Sequence, residues 1–368
     1  MKNNLFKEGT MKNNLFKEGT MKNNLFKEGT MKKIIIFILI LILSISLTSF
    51  VWAAGQGETS KTELKSYVVK AGCLHGTEHI KYIGFKKMKE VLEEESGGRI
   101  TMEIYPAGQL GTEPEMLDQL KMGTLQFTNS GAVRQFCPEL NAFALPFLLK
   151  DLDNAERVLE GDLGRQYAKY AEKKGFAIVA YQHNGFRQFT NNAHPIKTPA
   201  DLKGLKLRVP PMDIMLKTMD ALGANVVPIP FTELYMALKT GVVDGEENPY
   251  AQILDEKLYE VQKYLTVVNY LYPVNAIVTS LDWWNSLPET DQELISKAAL
   301  AGAAYTNDIY KSNVAKQFEE VKKLMEVYVP TEEELNQFKE KVQPVYDWAI
   351  GEHYITQDVI DQIRAMAE

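Results

Sequence analysis

Cysteine is scarce in this chain, with two residues, Cys73 and Cys137, among 368. A chain of this length builds cores large enough to need no disulfide staple, and whether the pair meets is not legible from its positions. Histidine is nearly as sparse at five residues, and His183, His194 and His353 show no metal-binding spacing. No glycine-rich phosphate loop and no serine or cysteine nucleophile elbow occurs, so common signatures of nucleotide binding and acyl transfer are missing. Basic residues are in the minority, 41 Lys and Arg against 48 Asp and Glu, for a net charge of −7. That balance argues against nucleic acid and against an anionic membrane surface, while leaving room for a local basic pocket. Long apolar runs are missing too, with one exception near the N-terminus.

That exception follows three tandem copies of MKNNLFKEGT spanning residues 1–30. Ten residues is too short a period for a solenoid, and the segment has no apolar face, so it is set aside as an extension with no expected structure and Met31 as the working initiator. Lys32 and Lys33 precede an unbroken apolar run at 34–43, then a hydroxyl-rich stretch, then Val51-Trp52-Ala53-Ala54. Residues 31–54 therefore read as a secretory signal peptide cut after Ala53 or Ala54. An uncleaved anchor is the alternative, at a length barely sufficient to span a bilayer. With the basic leader removed, the chain carries a net charge of about −12. The remaining length suggests two domains.

Past a polar linker at 55–62, strand and helix periodicities alternate. Strands are expected at 64–70, 100–105, 125–128 and 176–181, with helices at 77–95, 113–122 and 152–174. The first helix opens at Thr77 and stops at Ser96-Gly97-Gly98. A second run begins near Gly185. It contains a strand at 205–209 closed by Pro210-Pro211, helices at 212–222 and 231–240, and strands near Val226 and Val242 and at 265–268 and 272–279. Such alternation indicates an α/β fold with largely parallel sheets. Between Pro288 and Met325 there is no further proline and one glycine, Gly302. This predicts a single helix long enough to cross two domains. Thr331 and Glu334 form a capping-box pattern, and a last helix is expected near 356–367.

Two stretches carry chemistry. Arg187 follows a Gly-Phe step at a strand start, and Arg208 ends a strand just before Pro210. Ligands in open α/β sheets lie outside the carboxyl ends of strands, where a guanidinium grips a carboxylate with two parallel bonds. A surface arginine or an internal ion pair is the bland reading of either residue. In the second stretch, 228–249, Asn248 offers a donor and an acceptor and is held extended by Pro249; an Asn-Pro turn opener is its bland reading. A third pattern, His75-Gly76-Thr77-Glu78-His79, fits H-x-x-E-H, the inverted zinc-peptidase motif. That motif needs both histidines on one helix, and Gly76 together with a Thr77 cap leaves His75 outside.

Several segments together resemble the solute-binding proteins of TRAP (tripartite ATP-independent periplasmic) transporters, of the dicarboxylate type. They are Tyr105-Pro106-Ala107-Gly108-Gln109-Leu110-Gly111, Phe143-Ala144-Leu145-Pro146-Phe147, Gly185-Phe186-Arg187-Gln188-Phe189-Thr190-Asn191, the run at 195–210, Leu222-Gly223-Ala224-Asn225 and the stretch at 228–249. The resemblance implies a two-domain, periplasmic-binding-protein-like α/β fold, with a hinge and a long helix spanning both domains. Domain I would comprise 63–184 plus 274–313, and domain II 185–273 plus 314–368. It implies no enzyme and no cofactor. It implies an exported receptor in the periplasm or extracytoplasmic space, whose partners are a small carboxylate and the membrane permease. Arg208 would make the principal salt bridge to the ligand, Arg187 and Asn248 would assist, and Phe231 would pack on its body. Leu74, His79, Ser130 and Tyr272 are further expected contacts. Two departures, Leu74 and Pro211-Met212, stand where relatives place polar residues and favour a smaller or partly apolar acid. A ligand-presenting sensor subunit for a membrane receptor would share the same sequence features, and a zinc peptidase is the remote alternative.

Overall fold

The computed structural model describes residues 65–367. The decapeptide repeats, the signal-peptide segment and the linker lie outside the described residues. Among the described residues eleven strands form: β1 (Tyr67–Gly72), β2 (Ile100–Tyr105), β3 (Phe127–Ser130), β4 (Phe176–Gln182), β5 (Gln188–Asn191), β6 (Lys206–Val209), β7 (Asn225–Pro228), β8 (Gly245–Asn248), β9 (Tyr264–Thr266), β10 (Asn275–Ser280) and β11 (Glu326–Tyr328). They assemble into two sheets, ordered β2-β1-β3-β10-β4 and β11-β9-β5-β8-β6-β7. Four helices matter most for the site: α1 (Ile80–Glu95), α2 (Glu113–Lys121), α3 (Tyr250–Asp255) and α4 (Glu289–Leu324).

The sheets are mixed rather than largely parallel. β10 runs antiparallel to β3 and β4, and β5 runs antiparallel to β8 and β9. The cause lies in the connections. The chain passes from β4 to β5 and from β9 to β10 without a helix, each time changing sheet. A strand that arrives from the other sheet is free of the crossover that parallel neighbours require. The two passing segments run side by side, with Arg187 N–H donating to Leu271 O at 3.0 Å and Tyr270 N–H to Arg187 O at 3.3 Å.

The α1 helix shows why periodicity was informative. Phe85, Met88 and Leu92 recur on one face and pack with Val69 and Ala71 of β1 and with Ile295, Ala298 and Ala299 of α4. The α4 helix has 36 residues, about 54 Å at 1.5 Å per residue. Its first half packs on the first sheet and α1, while Val321 near its end joins Leu234, Leu238 and Leu265 in a separate core cluster beside the second sheet.

Three expectations need correction. The cap of α1 is His79, whose Nδ1 accepts from Lys81 N–H at 3.1 Å, not Thr77. The expected helix at 152–174 is broken into Leu152–Glu160, Asp162–Ala168 and a 3-10 turn. Gly161 takes an extended backbone there, and a Cβ on Gly164 would fall 1.8 Å from Leu159 O. No strand forms at Val242, because the tight turn after residue 240 delays strand formation to β8. Cys73 and Cys137 are both free and buried. No helix among the described residues is long and apolar enough to cross a membrane.

Candidate functional site

Arg208 is the largest side chain that the fold buries almost completely, at 1 % exposure. Its strand explains why. On β6 the neighbours Leu207 and Val209 face the core, so strand alternation turns Arg208 to the opposite face. Pro210 ends the strand, and the chain leaving β7 brings Ile229 O to 2.8 Å from Arg208 Nε, which donates to it. Neither terminal nitrogen, Nη1 or Nη2, finds a hydrogen-bond acceptor among the described residues. The Phe231 ring lies beneath the guanidinium, 5.9 Å from centroid to Cζ. Burial, and then the nearby Arg187, pull the Arg208 pKa down to about 10.

Beside Arg208, the sequence Gly-Glu-Glu-Asn of β8 is wholly buried. Glu246 is in register with Arg208 across the parallel pair. Its Oε1 accepts from Thr190 Oγ1 at 2.9 Å, and its Oε2 accepts from Asn248 Nδ2. Burial and the adjoining Glu247 push the Glu246 carboxyl up to about 7. Glu247 is the partner of Arg187: Nε and Nη2 of Arg187 donate to its carboxylate, and Tyr270 Oη adds a third bond at 2.7 Å. Burial disfavours the Arg187 cation, but Glu247 more than offsets this and its pKa ends raised. The two arginines therefore differ, Arg187 being committed to a buried ion pair and Arg208 having free donors.

Arg208 and Phe231 border a cavity of ≈580 Å³, with Leu74, Glu113, Ala132 and Met212 also on its wall. A groove of similar size, ≈550 Å³, lies between 259–263 and 323–326. Its charged residues, Glu260, Lys263, Lys323 and Glu326, are all exposed, so it offers no dry electrostatics. Of the other expected site residues, Ser130 is fully buried and its Oγ accepts from Ala132 N–H at 3.0 Å. Tyr272 is buried with its hydroxyl against His183 Nδ1 and its ring 5.3 Å from Phe186. His79 faces Asp255 Oδ2 of α3 at 3.8 Å, and His75 faces Glu256 at 3.5 Å. The two imidazoles stack at 3.9 Å, and both are held well below their usual pKa by burial. The structure thus gathers Arg208, Phe231 and Leu74 on one cavity and sets Tyr272 and His79 in their own contacts. His75 lies before α1, which begins at Ile80, and no group of three or more potential metal ligands occurs among the described residues.

Residues 72–354 match the family described as bacterial extracellular solute-binding protein, family 7. The chain belongs to this family. Among curated relatives of this solute-binding family, the C4-dicarboxylate-binding periplasmic protein DctP of Rhodobacter capsulatus is 33% identical over 270 residues, covering 72% of this chain and 80% of the relative. A TRAP periplasmic solute-binding protein from Shewanella oneidensis, solved with bound succinate, superposes with a TM-score of 0.78 at 30% identity, over 82% of this chain and 100% of its own. The sugar acid binding protein DctPAm from Advenella mimigardefordensis, solved with galactonate, gives a TM-score of 0.78 at 30% identity, over 83% and 99%. The chain is thus a TRAP-type solute-binding receptor for small acids, with a two-sheet α/β fold and a long helix.

Sequence reasoning missed four charged residues of this receptor: Lys81, Glu113, Glu246 and Glu247. Lys81 carried a usable signal. It occupies the inward position of α1 that Phe85, Met88 and Leu92 continue, and a lysine there is out of pattern. Its ammonium donates to Asn275 Oδ1 at 2.8 Å, and burial lowers its pKa to about 8. The glutamates of β8 gave no such signal, because two adjacent acids beside a turn read as solvated.

Proposed function

We propose that this protein is the exported receptor of a TRAP transporter, which clamps the carboxylate of a small organic acid with Arg208 and delivers it to the membrane permease. The observation that carries this reading is the buried guanidinium of Arg208, a residue of the cavity wall whose two terminal nitrogens have no acceptor among the described residues. A bidentate carboxylate supplies both acceptors, each charge-assisted bond contributing about 1.5–3 kcal/mol. Phe231 and Leu74 hold the apolar body of the ligand. Asn248, whose Nδ2 donates to Glu246 on the same strand, would assist through its amide oxygen, and Arg187 steadies that strand through Glu247 while adding positive potential.

Domain I would take residues 63–184 with 274–313 and domain II the remainder to 368, hinged along the paired segments between the sheets. Closing the domains removes water and strengthens the Arg208 pair, because Coulomb attraction grows as the local dielectric falls. Transport, not turnover, is the expected outcome of binding, and the segment at 31–54 provides export. A thermal-shift screen of the purified protein against carboxylic acids tests this reading. A ligand at a hundred times its dissociation constant stabilises by about 2.7 kcal/mol, a shift of several degrees. Such a shift should vanish in Arg208→Ala. If no carboxylate moves the wild type, or the variant responds equally, the clamp is wrong.

A further inference from the structure

Arg208 shares its cavity wall with a charge of opposite sign. Glu113, the first residue of α2, lines the same space. Its Oε1 accepts one long bond, 3.3 Å, from the backbone N–H of Gly131. Burial raises the Glu113 pKa above the usual carboxylate value, and Lys81 leads the groups that oppose this, but the Lys81 ammonium is itself buried and donates to Asn275, and it is not part of the cavity wall. Three further cations on the wall, Lys121, Arg134 and Lys174, are exposed, and Arg134 already pairs with Asp213 at 3.2 Å. Much of the remaining surface is apolar, including Leu74, Pro210, Met212 and Phe231. A ligand in this cavity therefore meets one buried cation with free donors and one half-buried anion with acceptor capacity to spare.

We infer that Glu113 is a specificity-determining residue, selecting a monocarboxylate whose body carries a hydrogen-bond donor and turning away dicarboxylates. The inference rests on the reading of Arg208 as the carboxylate clamp. With one carboxylate fixed at Arg208, the rest of the ligand occupies the cavity that Glu113 also lines. A hydroxyl or ammonium there completes the acceptor that Gly131 leaves partly used. A second carboxylate meets a like charge in partly dry surroundings, which is discrimination by repulsion as well as by attraction. An unsubstituted alkyl acid leaves the Glu113 carboxylate desolvated and unpaired, the situation in which polar sites reject analogues most strongly.

The test is calorimetric titration of the purified protein with five acids of equal chain length. Pentanoate is the baseline, 2-hydroxypentanoate, 4-hydroxypentanoate and 5-aminopentanoate carry donors, and glutarate is the dicarboxylate. At least one donor-bearing acid should bind tenfold or more tightly than both pentanoate and glutarate. Glu113→Gln keeps an acceptor for Gly131 and for a hydroxyl, so it should retain the hydroxy acids within a few fold. It should also weaken 5-aminopentanoate relative to them and bring glutarate at least fivefold closer to the best ligand. The inference is overturned if glutarate matches the best donor-bearing acid in the wild type, if none of the five binds, or if Glu113→Gln changes all five by one common factor. Arg208→Ala separates the two levels of the argument. Loss of every ligand there upholds the clamp, whereas retained binding removes the clamp and this inference with it.

Discussion

Replacing Arg208 by methionine should raise the stability of the ligand-free protein while abolishing its response to carboxylates. The magnitude follows from the partners of the guanidinium. Nη1 and Nη2 have no acceptor among the described residues, and each buried donor left unmade costs about 1–3 kcal/mol. Against that stands the single bond from Nε to Ile229 O at 2.8 Å, about 1.5–3 kcal/mol for a charged donor. Methionine fills most of the volume, so the balance is a gain of about 1–3 kcal/mol, or a few degrees in melting temperature. Arg187→Met should do the reverse. It strands the carboxylate of Glu247, which keeps only Tyr270, and breaking a buried pair from one side costs about 3–5 kcal/mol. Urea melts of both variants, with and without a bound acid, measure the contrast. If Arg208→Met loses as much stability as Arg187→Met, Arg208 is holding the fold together and the argument for a ligand-facing cation collapses.

Gly185→Ala should unfold or severely destabilise the protein, by about 3 kcal/mol or more, because the new Cβ would sit 1.6 Å from Tyr310 Oη at a φ of +88°; a urea midpoint equal to wild type would contradict the close approach. Glu246 has a native pKa of about 7 against an ordinary 4.5, so the native state binds its proton more tightly than the unfolded chain. The stability this contributes is fully present below pH 4.5 and is lost as pH rises through about 7. Glu246→Gln should therefore be the more pH-resistant protein between pH 5 and 8, read as the difference between variant and wild-type melts so that the buried histidines cancel; a difference independent of pH would argue against the shift. Burial raises the thiols of Cys73 and Cys137 to about 11 and about 12. A thiol reagent should find neither in the native protein and both after denaturation, whereas a disulfide would yield none in either state.

Local pattern determined the elements whose cause is local. Pro288 to Met325 lacks breakers apart from Gly302, and that stretch is one helix. Thr331 and Glu334 do form a capping box, because a cap needs only residues three apart. Arg208 was legible as the occupant of a strand end just before a proline. Its burial was not, since that depends on Ile229 and Phe231 from the segment after β7 and on Glu246 from β8. The same limit explains the error over parallel sheets, because strand direction in β5 and β10 is set by where the chain crosses between sheets. Arg187 and Arg208 were alike in the sequence as candidates to grip an acid. The family resemblance ranked Arg208 first, and the tertiary structure supplied the physical reason, by placing the Glu247 carboxylate, 60 residues away, against one guanidinium and leaving the two terminal nitrogens of the other without an acceptor among the described residues. A side chain's type sets what it can bind, but its free valence depends on which distant groups reach it first.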